Sequence, residues 1–100
     1  MNTYILSFDP HQPEFTAAQL HAFIKQNRDI AQFYNPFPGT YILKSELFQR
    51  DLNAGFVSFF NGKMFVLAPV TPFEVGGAFP QAVWDWFNTG DLPKLEKLSS

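Results

Sequence analysis

The residues best suited to acid–base or metal chemistry lie close together near the start of the chain. Asp9 ends the apolar run Tyr4–Phe8, and His11 follows two residues later. A carboxylate at a strand end can act as a general base or as a metal ligand, and a nearby histidine can donate or accept a proton. Asp9 and His11 are therefore the candidate catalytic residues, and Asp9 is also the candidate metal ligand.

Both residues also have a simpler structural interpretation. Aspartate is favoured at the start of an Asp-Pro loop because its side chain accepts nearby backbone N–H bonds. A loop histidine is more often exposed to solvent than catalytic, and short motifs mislead. Ser7, Asp9 and His11 have the residue types of a nucleophile triad, but they lie too close along one strand end to adopt its geometry. The turn interpretation of Asp9 is favoured, and catalysis stays an alternative.

The composition narrows the classes of function. The chain has 100 residues, 46% hydrophobic and 18% aromatic, which is unlike a disordered segment. It has no cysteine, which excludes disulfides, thiol nucleophiles and thiolate zinc sites. The net charge is −2, whereas non-specific nucleic-acid binders usually carry a basic excess. Nucleic acid therefore stays an uncertain partner, since a basic patch would have to be built from Lys25, Arg28, Lys44, Arg50 and Lys63.

From the sequence we expect neither a membrane span nor an export signal. No run of about 18 apolar residues is present, so we expect no membrane span and no membrane partner. The first apolar run is short and lacks the basic flank of a signal peptide. We therefore expect one domain over residues 1–100, located in the cytoplasm.

Apolar alternation and turn residues predict four strands and three helices. The strands are expected at 3–8, 31–35, 40–44 and 64–70, with Pro36–Gly39 as a hairpin turn. Thr16 and Gln19 form a candidate capping box for a helix over 17–28, and Ser45 is the candidate N-cap of the second helix. Residues 56–60 fit either a last helical turn or extended chain. A third helix is expected from Pro80 to about Asn88, and residues 92–100 form either a docked helix or a loose tail.

This order predicts an α+β domain. The succession β-α-β-β-α-β is the split arrangement of ferredoxin-like folds, with an antiparallel four-stranded sheet and an added C-terminal helix. Right-handed crossovers would place the first two helices on one face of the sheet. The third helix can cover part of the other face. A second subunit is the natural cover for the rest, which makes a homodimer the expected assembly.

Three segments resemble a known superfamily of small ferredoxin-fold proteins. They are Thr3–Asp9, a strand that ends in aromatic-Asp; Tyr41–Ser45, a strand that runs into a capped helix; and Ala82–Phe87, a Trp-rich terminal helix. Together they are similar to the SinR-like group, to the virulence-associated protein D toxins and to the CRISPR-associated adaptation nucleases.

The resemblance implies two different functions. In the nuclease branches, the aspartate that closes the first strand is the candidate ligand of a divalent ion such as Mg²⁺ or Mn²⁺, shared across a dimer. Asp9 matches that residue, which would make the chain a metal-dependent endoribonuclease or nuclease. The sequence departs from that pattern because no Lys or Arg precedes Lys25 and Glu14 adds negative charge. The SinR-like group implies a fold more than a reaction.

The aromatic residues suggest the competing function. Eighteen percent of the chain is aromatic, more than so small a core is expected to bury, and aromatic residues are enriched at interface cores. Trp84 and Phe37 are the candidate partner-binding residues. The favoured hypothesis is a non-catalytic, dimeric interaction or regulatory module, of the kind found among phage-encoded inhibitors and antitoxin-like partners, with no cofactor. A small-ligand sensor under the 71–79 loop is the third possibility.

Overall fold

The computed structural model describes residues 1–71 and 76–89. The elements in chain order are β1 (Asn2–Phe8), α1 (Ala17–Gln26), β2 (Gln32–Phe37), β3 (Thr40–Ser45), α2 (Gln49–Phe60), β4 (Phe65–Val70) and α3 (Gln81–Thr89). Within the described residues, no helix has the length and hydropathy needed to cross a membrane. The prediction for 92–100, and residues 72–75 of the loop over the predicted cleft, lie outside the described residues.

The four strands form a single antiparallel sheet. Its order is β2-β3-β1-β4, so β1 and β3 are central and β2 and β4 are the two edges. The central pair aligns Tyr4 with Leu43, and the β1–β4 pair aligns Leu6 with Leu67. The protein is thus an α+β domain with a four-stranded antiparallel sheet and three helices, compatible with a ferredoxin-like fold.

The first two helices pack on the same face of the sheet, as predicted. Because successive side chains of a strand point to opposite faces, alternate residues of each strand meet α1 and α2. The resulting core is aromatic and aliphatic, and its most buried members are Tyr4, Leu6, Leu20, Ile24, Leu43, Leu52, Phe56 and Phe60. Stacked and tilted ring pairs run through it, including Phe60 against Phe65 at 4.5 Å between centroids.

The opposite face is partly covered by α3. Val83, Trp86 and Phe87 are fully buried against Tyr34 and Ile42, which lie on β2 and β3. Ala82, next to Val83 on the same helix, is exposed. Ile5 and Val70 pack at the margin of this second core. Helix α3 therefore covers the β2–β3 side of this face more fully than the β4 side.

The second helix starts later than predicted. Ser45 is the last residue of β3, paired with Asn2, and α2 begins at Gln49 after Phe48 as N-cap. The buried Ser45 hydroxyl donates to the Asp29 carbonyl and accepts the Leu47 N–H at 3.0 Å. The hydroxyl therefore closes a loop instead of capping a helix. Residues 56–60, whose state was ambiguous, are helical.

The other boundaries differ by small amounts. Thr16 is the N-cap of α1, although its side chain makes no capping bond, and the helix ends at Gln26. Strand β2 continues to Phe37, so the turn is shorter than predicted, with an irregularity between Tyr34 and Phe37. Gly39 is required in this turn because a Cβ there would lie 2.5 Å from the Phe8 carbonyl oxygen.

Candidate functional site

Asp9 forms a side-chain turn directly after β1. Its Oδ1 accepts the backbone N–H of His11 at 2.9 Å, and its carbonyl accepts a bond from the Gln12 side chain at 3.1 Å. This is the local pattern that favours aspartate at loop starts. Both Asp9 and His11 are exposed, and they are linked through the His11 backbone and not through the imidazole.

Gln12 ties this loop to the start of β4. Its Oε1 accepts the Met64 N–H at 2.8 Å, and its Nε2 donates to the Met64 carbonyl at 3.0 Å. The amide side chain thus imitates a strand backbone and extends the β1–β4 ladder past Phe8. Sequence reasoning missed this role, because a glutamine between two prolines carries no signal for a contact 52 residues away.

The Asp9 carboxylate borders an open depression at this end of the sheet. The depression has a volume of about 500 Å³, and Ser7, Lys63, Met64 and Val66 also line it. Lys63 supplies the cation that the Asp9 loop lacks. Among residues 1–71 and 76–89, no group of three His, Cys, Asp or Glu side chains could hold a metal ion. One chain therefore brings a single carboxylate and a single lysine to this depression.

An apolar strip continues from this depression along β4. Met64 and Val66 are 72% and 63% exposed, and Ala68 is half-buried. They point to the same face of the sheet as α3, because Val66 and Ala68 are paired with Ser7 and Ile5 on β1. We call Met64, Val66 and Ala68 the β4 strip.

The two predicted partner-binding residues share one aromatic patch near the other edge. Phe37, at the end of β2, is 57% exposed, and its ring lies 6.5 Å from Phe79. Phe79 lies 5.2 Å from Trp84, which is half-buried and also contacts Phe87 at 5.8 Å. Trp84 thus contributes only part of its side chain to the surface. We call Phe37, Phe79 and Trp84 the aromatic patch.

Lys44 anchors the end of α3 from inside the protein. It is 6% exposed, and its Nζ donates to the carbonyls of Trp86 and Phe87 at 2.6 and 3.3 Å while lying 4.8 Å from the Trp86 ring. A cation near the last carbonyls of a helix stabilises them. Lys44 is therefore committed to the interior and does not contribute to a surface basic patch.

A second polar contact lies between α1 and β3. The Tyr41 hydroxyl and His21 Nδ1 are 2.8 Å apart, and His21 meets the Phe33 ring edge-on at 5.5 Å. Burial raises the pKa of Tyr41 to about 12, because the phenolate is poorly solvated there. The pair is part of the packing under α1.

The chain was compared with known proteins. No family model matches the sequence, and no curated protein or solved structure matches it either. The superfamily suggested by Thr3–Asp9, Tyr41–Ser45 and Ala82–Phe87 therefore stays a prediction.

Proposed function

We propose that this protein is a small, homodimeric protein-interaction or regulatory module without catalysis. The observation that carries the proposal is the aromatic patch, in which an exposed phenylalanine and a half-buried tryptophan are joined by a third ring. Aromatic side chains are enriched at the cores of protein interfaces, and tryptophan is enriched among the few residues that dominate binding energy.

The polar groups also favour binding over chemistry. The Asp9 carboxylate already accepts the His11 N–H, and the most buried polar contacts, those of Lys44, Ser45 and Tyr41, bind the domain's own backbone or side chains. A general base needs access to a substrate proton. In the described part of the chain, the buried polar groups with hydrogen-bond partners support the fold.

We also propose that the domain is a ferredoxin-like split β-α-β-β-α-β fold with α3 added. The antiparallel order β2-β3-β1-β4 and the position of α1 and α2 on one face support it. A relationship with the SinR-like and virulence-associated protein D groups is part of this proposal and rests on the sequence segments alone.

The proposal is tested by measuring assembly and partner capture together. Purified protein should sediment as a dimer, and immobilised protein should retain a defined partner from a phage or bacterial lysate. Phe37→Ser should weaken capture by about tenfold, as loss of a hot-spot aromatic does. Phe48→Ser is the matched control, since Phe48 is 75% exposed and lies outside the patch. A strict monomer that captures nothing would refute the proposal.

A metal-dependent nuclease is the second candidate. The observation in its favour is that Lys63 lines the same depression as Asp9, where a cation could neutralise a phosphodiester. Because one chain brings one carboxylate, an Mg²⁺ or Mn²⁺ ion would need Asp9 from two copies. Labelled RNA should then be cut by the wild-type protein and not by Asp9→Asn. Equal cleavage, or none by either protein, removes this candidate.

A further inference from the structure

We infer that the homodimer forms by pairing of β4 with β4 of a second copy, antiparallel, with Val66 opposite Val66 of the second copy. The result is a continuous eight-stranded sheet. The inference rests on the proposed homodimer. It specifies which surface the two copies share and how their β4 strands align, and both follow from the backbone of the β4 edge.

The hydrogen bonds of β4 show which of its backbone groups face outward. Met64 bonds through both backbone groups to Gln12, which follows β1, so even-numbered residues point toward β1. Odd-numbered residues point away, as the bond from Gln49 Nε2 to the Leu67 carbonyl at 3.3 Å independently indicates. Along an antiparallel strand both groups of one residue point to the same side. Phe65 and Leu67 therefore present their N–H and C=O groups to the outer edge.

The outer edge of β4 is short and self-complementary. Pro69 has no N–H, so the outward-facing donors of β4 are the N–H groups of Phe65 and Leu67. In an antiparallel pair centred on Val66, Phe65 of each copy faces Leu67 of the other and exchanges both bonds with it. All the hydrogen bonds of this pairing are made by those two residues. Gln49 keeps its long bond or swings aside.

The side chains fit the same register. In it, Val66 lies opposite its own copy, and Met64 lies opposite Ala68. The two β4 strips thus join into one apolar seam on the face that α3 leaves open. Such cross-strand apolar pairs stabilise a sheet, and this seam removes from water the two most exposed side chains of the β4 strip, those of Met64 and Val66.

Helix α2 adds a second contact on the opposite face. Phe56 and Phe59 contact Phe23 on α1, and helical spacing places Val57 on the flank turned away from α1. Val57 is 52% exposed. Because α2 packs over β4, pairing of the two edges brings these flanks of the two α2 helices toward each other.

The other edge of the sheet is less suited to pairing. Strand β2 contains Pro36 and an irregularity between Tyr34 and Phe37, and the Asn35 side chain bonds the carbonyls of Phe37 and Thr40 at 2.6 and 2.8 Å. Proline and bulges are common protections of edge strands. In β4 the corresponding protection is Pro69, the penultimate residue of the strand. It shortens the run of hydrogen bonds that the edge can form but leaves Phe65 and Leu67 able to pair.

This dimer separates the two Asp9 carboxylates. Each Asp9 follows β1, and β4 of both copies lies between the two β1 strands, so the carboxylates are at least roughly 14 Å apart at about 4.8 Å per strand. A single ion cannot bridge them. The inferred dimer and the two-aspartate nuclease therefore exclude each other.

The register is tested with single cysteines, which the Cys-free chain makes unambiguous. Under mild oxidation, Val66→Cys should form a disulfide-linked dimer, because directly opposed residues bring their Cβ atoms to about 5 Å. Ala22→Cys, exposed on α1, is the matched control and should cross-link several-fold less. If the two variants cross-link equally, the register is wrong.

The surface is tested by sedimentation of charge variants checked by circular dichroism for folding. Val66→Lys should raise the dimer dissociation constant about tenfold or more, since it opposes two charges across the seam. Ala22→Lys, which adds the same charge at an exposed position of α1, should leave it unchanged. A wild-type dimer that Val66→Lys does not weaken overturns the β4 inference but not the proposed homodimer. A wild-type protein that stays monomeric overturns both, and partner capture by the aromatic patch is then judged separately.

Discussion

The two faces of the sheet are covered to different extents. One face is covered by two helices and holds a continuous aromatic and aliphatic core from Tyr4 to Phe60. The other face has one shorter helix over β2 and β3, a smaller core, and an exposed strip along β4. The two faces thus differ in how completely they are buried: the α1–α2 face holds the larger core, and the α3 face carries the exposed β4 strip and the aromatic patch to which we assign partner binding.

The largest expected effect comes from truncating the covered face. Phe56→Ala should lower the free energy of unfolding by about 3–5 kcal/mol, as removal of a buried phenylalanine does. Phe56 is fully buried and contacts the rings of Phe23, Phe60 and Phe65. Urea denaturation followed by circular dichroism measures the change. Phe87→Ala, equally buried under α3, is the matched comparison and should cost less; a loss as large as that of Phe56→Ala would contradict the division between the faces.

A smaller loss is expected from the anchor of α3. Lys44→Met keeps the aliphatic stem and removes the donor to the Trp86 and Phe87 carbonyls, so it should cost about 1–3 kcal/mol. Tryptophan fluorescence should shift to longer wavelength as α3 loosens. Lys25→Met, an exposed change on α1, should shift neither stability nor fluorescence. Unchanged fluorescence in Lys44→Met would show that α3 is held by its apolar contacts alone.

The covered face also gives a pH dependence. Burial raises the pKa of Tyr41 from 10.0 to about 12, so the folded state keeps its proton where the unfolded state loses it. Stability from this group is fully present below pH 10 and is lost as pH rises from 10 to about 12. Urea midpoints measured across that range should fall. In Tyr41→Phe the urea midpoint should fall less steeply with pH. The remaining decline comes from Tyr4, whose pKa is also raised by burial.

The smallest expected effect is a gain. Gly55 lies inside α2, and a Cβ there would meet nothing within 4 Å. Gly55→Ala should therefore stabilise the domain by about 0.5–1 kcal/mol, since glycine is costly in a helix interior. Gly39→Ala is the contrasting control and should destabilise, because its Cβ would meet the Phe8 carbonyl. A loss of stability in Gly55→Ala would mean that α2 depends on flexibility at this position.

The sequence predicts the strands and helices well because their signals are local. Alternation in 3–8 and 40–44, and the turn residues between elements, depend on neighbouring residues. The wrong start of α2 shows the limit: Ser45 has the residue type of an N-cap, but pairing with Asn2 keeps it in β3. Local propensity and tertiary pairing compete there, and pairing wins.

The site was less predictable than the fold. The sequence indicated Asp9 both as a candidate catalytic residue and as a turn residue. The hydrogen bond from the His11 N–H to the Asp9 carboxylate agrees with the turn. The Gln12–Met64 pairing, the Lys44 anchor and the proximity of Lys63 to Asp9 all join residues distant in the chain. No local spacing reports such contacts. The exposure of the β4 strip likewise depends on how far α3 reaches across the sheet.

The most direct test of the inferred β4–β4 dimer is amide hydrogen exchange measured along β4. The Val66 and Ala68 amides point toward β1 and should be protected at every protein concentration. The Phe65 and Leu67 amides should be protected in concentrated samples and should exchange faster on dilution, because the second copy supplies their acceptors. If the Phe65 and Leu67 amides exchange fast at all concentrations while Val66 and Ala68 stay protected, β4 does not pair with a second copy.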